Sequence, residues 1–158
     1  MFAVGHLSLG YLIAKGSAKL LNRKVNVPLV FLLSLVPDTD ILILGVQHRT
    51  MTHSIIASLI SFLPVFAYYR AEAVPYFLAL LQHSLVGDFI TGGTEAQGTQ
   101  LFWPLTFNQY GLPIDILSPA NLAIEWISFT SAAILILKTR DIHKLRDAKI
   151  SNLLLSVP

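Results

Sequence analysis

Long apolar segments, broken by few charged residues, run through most of this chain. Asp, Glu, Lys and Arg make up 13% of its 158 residues, whereas ~25% is usual in soluble domains. The hydrophobic fraction is 54% and the mean hydropathy is +0.64. We therefore predict an integral membrane protein with an all-α fold, a bundle of four to five transmembrane helices of which some are kinked at proline.

Length, charge and cysteine content narrow the class further. The length suits one compact helical domain. The net charge of +2 is too small to indicate nucleic-acid binding, and the lack of cysteine excludes disulfides and thiolate metal sites. No positive charge precedes the first apolar stretch and no small-residue cleavage site precedes Lys15, so we do not interpret this stretch as a removed signal peptide.

The apolar runs predict five helical segments. They cover approximately residues 2–21, 27–46, 54–69, 74–90 and 121–137. The second segment is long enough for ~30 Å of helix, which would cross a bilayer core, but Pro37 interrupts it. We place a membrane-embedded domain with a polar metal-site cavity at residues 1–137 and a basic cytoplasmic tail at residues 138–158.

The distribution of Lys and Arg predicts the orientation in the membrane. If the second segment starts in the cytoplasm, all basic residues except Arg49 lie on the cytoplasmic side, and the loop 91–120 contains none. Positive residues concentrate in cytoplasmic loops. We therefore predict that the N-terminus is outside and the C-terminus is cytoplasmic.

The same topology brings most histidines and acids to the outer ends of the helices. Ionisable groups within a bilayer cost ~2.5–3.5 kcal/mol each on insertion scales, so several of them together need a compensating partner. Histidine with carboxylate is the usual ligand set of zinc and related divalent metals. The candidate metal ligands are His6, Asp38, Asp40, His53, His83 and Asp88. His143 lies in the predicted tail and is excluded.

Three further residues are candidates for catalysis. His48 could act in acid–base chemistry or in metal binding. Arg49 could bind a phosphate with its fork of donors, or hold a lipid headgroup without taking part in chemistry. Glu125 could be a general base or a ligand.

Structural alternatives remain open for two of the acids. Asp38 could cap the half-helix that follows Pro37. His83 and Asp88 lie about 140° apart on a regular helix, because an α-helix has ~3.6 residues per turn. Either Gly87 marks a local bulge or the two side chains contact different sides of one site. A hydrogen bond between two helices is the plainer interpretation, and Asp88 could also orient a histidine that binds the metal.

The order of these motifs resembles the YdjM-like family of prokaryotic inner-membrane proteins, for which metal-dependent hydrolase activity has been inferred. The motifs are Gly-His near the start, Pro-Asp-x-Asp at 37–40, His-Arg-x-x-Thr-His-Ser at 48–54, a helix with His83 and Asp88, and Leu-Phe-Trp-Pro at 101–104. The resemblance covers about residues 5 to 106. It implies a location in the prokaryotic cytoplasmic (inner) membrane, and it implies that the family's polar positions are the six candidate ligands and His48. This family is in turn distantly similar to zinc-dependent phospholipases C. Its expected His–Asp spacing is four, whereas here the spacing is five.

These observations together predict a membrane-embedded, metal-dependent hydrolase of a lipid or lipid-linked phosphoester at the outer leaflet. The expected cofactor is a divalent metal, zinc first. The expected partners are membrane lipids and a lipid-like substrate, and nucleic acid is not expected. Two other functions fit the same residues: an ion- or proton-coupled transporter, and a non-enzymatic membrane protein with a structural metal.

Overall fold

The described part of the chain folds into five α-helices joined by short 3-10 segments and one π-helical turn. The computed structural model describes residues 1–92 and 98–141. The helices are α1 (Ala3–Leu20), α2 (Val27–Leu35), α3 (Ile55–Tyr69), α4 (Val74–Gln82) and α5 (Pro119–Thr139). The described residues form no strand, only the isolated bridges Thr91–Pro113 and Thr99–Tyr110. The all-α prediction is thereby confirmed.

Side-chain caps determine where three of the helices begin. Asn26, Ser54 and Ser118 precede α2, α3 and α5, and each accepts a hydrogen bond from a backbone N–H in the first turn. Such caps satisfy donors that have no partner within the helix.

The second apolar segment is shorter as a helix than the sequence predicts. The predicted interruption at Pro37 is confirmed, because α2 ends at Leu35 and a 3-10 helix covers Val36–Leu42. Proline has no backbone N–H and disfavours α geometry in the residue before it. The nine residues of α2 extend only ~14 Å, so α2 cannot cross a bilayer core alone, and the predicted extension to Val46 is wrong.

Helix α1 is central and packs against α2, α4 and α5. The core between these helices contains the fully buried side chains of Tyr11, Val30, Tyr76 and Leu80. Helices α3 and α4 form a hairpin through the 3-10 turn Arg70–Ala73. The rings of Phe62 and Phe77 lie 4.7 Å apart, although a continuous helix would separate these positions by ~22 Å.

Two helical stretches, 55–88 and 119–139, are long and apolar enough to cross a membrane by length and composition. The first of them is the α3–α4 hairpin and therefore runs in two directions. The 21 residues of α5 extend ~31 Å, which matches a bilayer core. Large apolar side chains on the outer faces of α3 and α5, such as Ile60, Leu63, Trp126 and Ile127, are exposed, as expected of surfaces that face lipid.

The two ends of the bundle differ in charge. One end carries the ion pairs Arg23–Glu72 and Lys15–Asp141, the second at 2.8 Å, and the lysines of the last turns of α1 and α5. The other end carries the histidines and aspartates described below. Most of the predicted cytoplasmic tail, including His143, lies outside the described residues, and the orientation in the membrane stays a prediction.

A close approach between α1 and α2 can be tested at Gly10. A Cβ added at Gly10 would overlap Ser34 Oγ and lie 2.9 Å from Ser34 Cβ. Because Ser34 is fully buried, we expect Gly10→Ala to destabilise the protein by ~1–3 kcal/mol, seen as a lower midpoint of thermal unfolding in mild detergent. Gly16→Ala is the matched control in the same helix, since nothing lies within 4 Å of its added Cβ and alanine favours helix. Equal midpoints for the two variants would contradict this packing.

Candidate metal centre

Side chains from four parts of the chain meet at the end of the bundle opposite the basic residues. Asp38 Oδ1 lies 3.4 Å from His53 Nε2 and 3.1 Å from His83 Nε2. Asp88 Oδ2 lies 3.1 Å from His53 Nε2 and 3.4 Å from His83 Nε2. Four potential ligand atoms, two imidazole nitrogens and two carboxylate oxygens, therefore alternate around one small space.

The π-helical turn His83–Asp88 explains the spacing of five residues. A π-helix pairs residue i with residue i+5, so it brings together two side chains that a regular α-helix would separate. Of the alternatives left open by the sequence, the local bulge is the one observed. π-Bulges of this kind occur frequently at functional sites.

Gly87, inside this turn, allows His6 to enter the cluster. A Cβ at Gly87 would lie 2.6 Å from His6 Nδ1, so no larger residue fits without displacing the ring. The His6 ring stacks on His83 with centroids 3.6 Å apart, and His6 Nε2 lies 3.3 Å from Asp88 Oδ1. His6 thus contacts the oxygen of Asp88 that faces away from His53 and His83.

Asp40 lies on the far side of two histidines. Its Oδ1 is 3.0 Å from His48 Nδ1 and its Oδ2 is 3.2 Å from His53 Nδ1. The Nε2 atoms of the same rings point toward Asp38, at 3.9 Å for His48. Asp40 also accepts hydrogen bonds from the Thr52 hydroxyl and from the Arg49 amide. A carboxylate in this position could orient the two histidines from behind if they bind a metal ion.

A backbone carbonyl fixes the tautomer of His83. His83 Nδ1 lies 2.7 Å from the carbonyl oxygen of Ser34, which can only accept, so Nδ1 carries the hydrogen. In the neutral ring, Nε2 then presents a lone pair toward Asp38 and Asp88. His83 Nε2, Asp38 Oδ1 and Asp88 Oδ2 are then three hydrogen-bond acceptors that face one another. They need a cation between them, either a proton or a metal ion.

The donor set has residue types and separations that could hold a divalent metal ion. His53 Nε2 and Asp88 Oδ2 are buried, face each other and have no hydrogen-bond partner among the described residues. Neighbouring ligand atoms around a tetrahedral ion with bonds of ~2.0–2.2 Å lie about 3.3–3.6 Å apart, close to the separations seen here. Two overlapping sets have all their ligand atoms within 4.8 Å of one another: Asp38, His48, His53 and Asp88, and His6, Asp38 and His83.

The electrostatic field of the cluster favours a cation. Burial lowers the pKa of His53, but the carboxylates of Asp38, Asp40 and Asp88 raise it more strongly, and the net result is a pKa of about 10. The Arg49 guanidinium, the protonated His53 and the N-terminal amine of Met1, which lies 3.5 Å from Asp88 Oδ1, face these three carboxylates. A divalent cation bound between the carboxylates would take the place of the proton on His53 Nε2.

Arg49 is engaged within the protein. It is buried, and its backbone has a φ of 65°, in the left-handed region. Its guanidinium donates to the carbonyl oxygen of Thr91 at 2.5 Å and to the Thr91 hydroxyl at 3.0 Å, and it lies 3.3 Å from Asp88 Oδ1. Arg49 therefore links the His48–His53 turn to the end of the π-helical turn and holds Asp88 in place. Its predicted contact with a substrate phosphate remains untested.

Glu125 connects α5 to the start of α1. Its Oε1 accepts hydrogen bonds from the Phe2 amide at 2.7 Å and from the Asn121 side chain at 3.0 Å. These contacts place the first turn of α1, and with it His6. They give Glu125 a structural role, while its predicted part in catalysis stays a prediction.

Sequence reasoning missed three contributors to this site. Thr91, at the start of the predicted loop, binds the Arg49 guanidinium; Thr52 binds Asp40; and the Ser34 carbonyl fixes His83. A backbone carbonyl leaves no mark in the sequence. Thr52 is next to His53 within the His-Arg-x-x-Thr-His-Ser motif, so its position in the motif could have indicated that it belongs to the site.

Comparison with known protein families agrees with the apolar amino-acid composition, which predicted a membrane protein. The family profile described as YdjM inner membrane protein matches residues 1–153, nearly the whole chain. The chain belongs to this family. It is therefore an inner membrane protein, and all of the site residues fall within the matched range. No curated protein and no solved structure matches it.

The orienting role of Asp40 can be separated from direct ligation by substitution. We expect Asp40→Asn to weaken the affinity for zinc by ~10–100-fold while leaving the saturating stoichiometry unchanged, because the Nε2 ligand atoms remain. Asp38→Asn, which alters an oxygen facing His53 and His83, should lower the stoichiometry itself. Chelator competition on purified protein measures both, with the exposed acid Asp115→Asn as control. Equal loss of stoichiometry for Asp40→Asn and Asp38→Asn would show that Asp40 is a ligand.

Proposed function

We propose that this inner membrane protein is a metal-dependent hydrolase that acts on a lipid or lipid-linked phosphoester at the outer leaflet. One observation carries the proposal. The side chains of His53, His83 and Asp88 are almost fully buried. Their potential ligand atoms nevertheless lie within 3.4 Å of Asp38 Oδ1 or of one another. Buried charges are retained when they are paired or bind metals.

His53, His83, Asp38 and Asp88 would hold the metal, with His6 as a further ligand. Nitrogen and oxygen donors without sulfur suit zinc and neighbouring divalent ions. A divalent ion bound there would polarise a phosphoryl oxygen and bring the pKa of a bound water toward ~7.

The cluster is accessible on the side of Asp38 and His48. Asp38 is 21% exposed and His48 is 43% exposed, whereas the other members are buried. His48 is the candidate general base, because Asp40 holds its Nδ1 and leaves Nε2 directed toward the open side. In the hydrolysis, the water oxygen would bond to phosphorus as the ester P–O bond breaks. His48 would take the water proton and pass it to the leaving alkoxide.

Arg49 acts in this proposal as a positioning residue. It neutralises Asp88 and fixes the residues around Thr91, so its effect on the substrate passes through Asp88. A phosphoester remains the preferred substrate because a cation at the open side attracts an anion. A lipid is preferred because the protein resides in the membrane.

Metal content and hydrolysis together test the function. We expect wild-type protein, purified in mild detergent, to contain about one divalent ion per chain, because four potential ligand atoms surround a single space. We also expect it to release a phosphorylated headgroup or phosphate from phospholipids. His83→Ala should lose the metal and at least 100-fold of the activity, since a ligand and its charge balance are removed. His143→Ala, outside the predicted site, is the control and should retain both.

Other outcomes would assign a different role. Wild-type protein without metal, with the same thermal stability in chelator, would overturn the proposal. Bound metal without hydrolysis, together with unfolding of His83→Ala, would favour a structural metal. Ion flux into proteoliposomes that is lost in Asp40→Asn would favour a transporter.

A further inference from the structure

We propose that the apolar loop formed by residues 41–47 binds lipid at the edge of the site and inserts among the acyl chains of the outer leaflet. The loop thereby selects a membrane phospholipid with intact chains over a water-soluble phosphoester. This inference rests on the proposed hydrolase function for its substrate, but the location of the loop can be tested without it.

The loop begins and ends in the metal cluster. Asp40 precedes it and His48 follows it, and the contact of 3.0 Å between Asp40 Oδ1 and His48 Nδ1 closes its base. Within the loop, the Ile43 amide bonds to the Asp40 carbonyl and Gly45 adopts a φ of 83°, which favours glycine. The loop is therefore a tight turn that projects directly from the open side of the cluster.

Four consecutive aliphatic side chains are exposed where the 3-10 helix ends and the turn begins. Ile41, Leu42, Ile43 and Leu44 are all exposed, and Leu44 is completely so, at 101%. Residues 41–47 include no charged residue. A run of exposed apolar residues of this kind marks a contact with a partner or a membrane.

A second apolar loop lies beside the same end of the bundle. Residues 98–114 contain no charged residue and expose Phe102, Leu105 and Phe107. The amide of Gln100 bonds to the Arg49 carbonyl, and the amide of Ile55 bonds to the Leu101 carbonyl, so this loop is held against the His48–His53 turn. Trp103, in the same loop, is of the type enriched where membrane meets water.

Lipid fits this surface better than a second copy of the chain. The two loops are joined through the His48–His53 turn to α3, whose exposed Leu59, Ile60 and Leu63 lie in a helix of membrane-compatible composition. The apolar surface of the site end is thus continuous with the surface expected to face lipid in an inner membrane protein. A phospholipid with its chains along residues 41–44 would bring its phosphate toward Asp38 and His48.

The location of the loop can be measured with labels, because the chain has no cysteine. Leu44→Cys, labelled with a fluorophore and reconstituted in phosphatidylethanolamine–phosphatidylglycerol vesicles, should be quenched by lipids brominated along their chains. Leu20→Cys, which is 88% exposed at the end of α1 near the basic residues, is the control and should be quenched by aqueous iodide. Iodide quenching of the Leu44 label would overturn the proposal, and so would self-quenching that rises with protein density, since it would mean that a second copy covers the loop.

Substrate selection is tested with the double variant Leu42→Asn/Leu44→Asn. We expect it to lose at least tenfold of the activity on long-chain phospholipid in vesicles, and to keep wild-type activity on a short-chain, water-soluble phosphoester and wild-type metal content. Leu20→Asn is the matched control and should change neither activity. Equal loss of activity on both substrates would overturn the proposed role of the loop in lipid selection. Wild-type protein that hydrolyses neither substrate would refute the hydrolase, while the label positions would still decide whether the loop contacts lipid.

Discussion

The rest of the site depends on the contacts that the buried carboxylate of Asp88 makes. One of its oxygens faces His53 and His83, and the other faces His6 and Arg49. Helix α1, the π-helical turn and the His48–His53 turn therefore all converge on a single ionised group, to which Asp38 is joined through the two histidines. Such a group is costly in an apolar interior unless positive charge and hydrogen-bond donors surround it. The arrangement of the surrounding chain follows from this requirement: Gly87 allows the His6 ring to approach, and the strained backbone of Arg49 brings its guanidinium to the far oxygen.

The sequence predicts the membership of this cluster better than its geometry. Low charge content, five apolar segments and the break at Pro37 were enough to predict an all-α membrane protein, and the distribution of Lys and Arg placed the histidines and aspartates at one end. The roles within the cluster were not predictable. Asp40 and Asp38 are equivalent by type, but Asp40 lies behind the imidazoles because the 3-10 helix and the loop after it return the chain to His48. The length of the second helix was overestimated because hydropathy alone counts Ile41–Leu44 as helical, whereas Pro37 changes the backbone geometry before them.

Residues with two compatible roles were the hardest to interpret. The spacing of His83 and Asp88 was ambiguous on a regular helix, and only the observed π-helical turn determines that they face one another. Arg49 and Glu125 were predicted to act on the substrate, but both are engaged in contacts between distant parts of the chain, with Thr91 and with Phe2. Long-range hydrogen bonds of this kind depend on tertiary packing and leave no local pattern.

Departures from regular α-helix geometry carry the polar cluster on two elements. Helix α2 has nine residues and extends ~14 Å, about half of a bilayer core of ~30 Å, before the 3-10 helix that carries Asp38 and Asp40. Helix α4 passes without a break into the π-helical turn that carries His83 and Asp88. Irregular backbone in a membrane protein is tolerated where it lines a cavity. Below the cluster, Tyr11, Tyr76 and Leu80 fill the core between α1, α2 and α4 and close the path toward the basic end. If the basic end lies in the cytoplasm, as the Lys and Arg distribution predicts, the exposed sides of Asp38 and His48 face the outer half of the membrane.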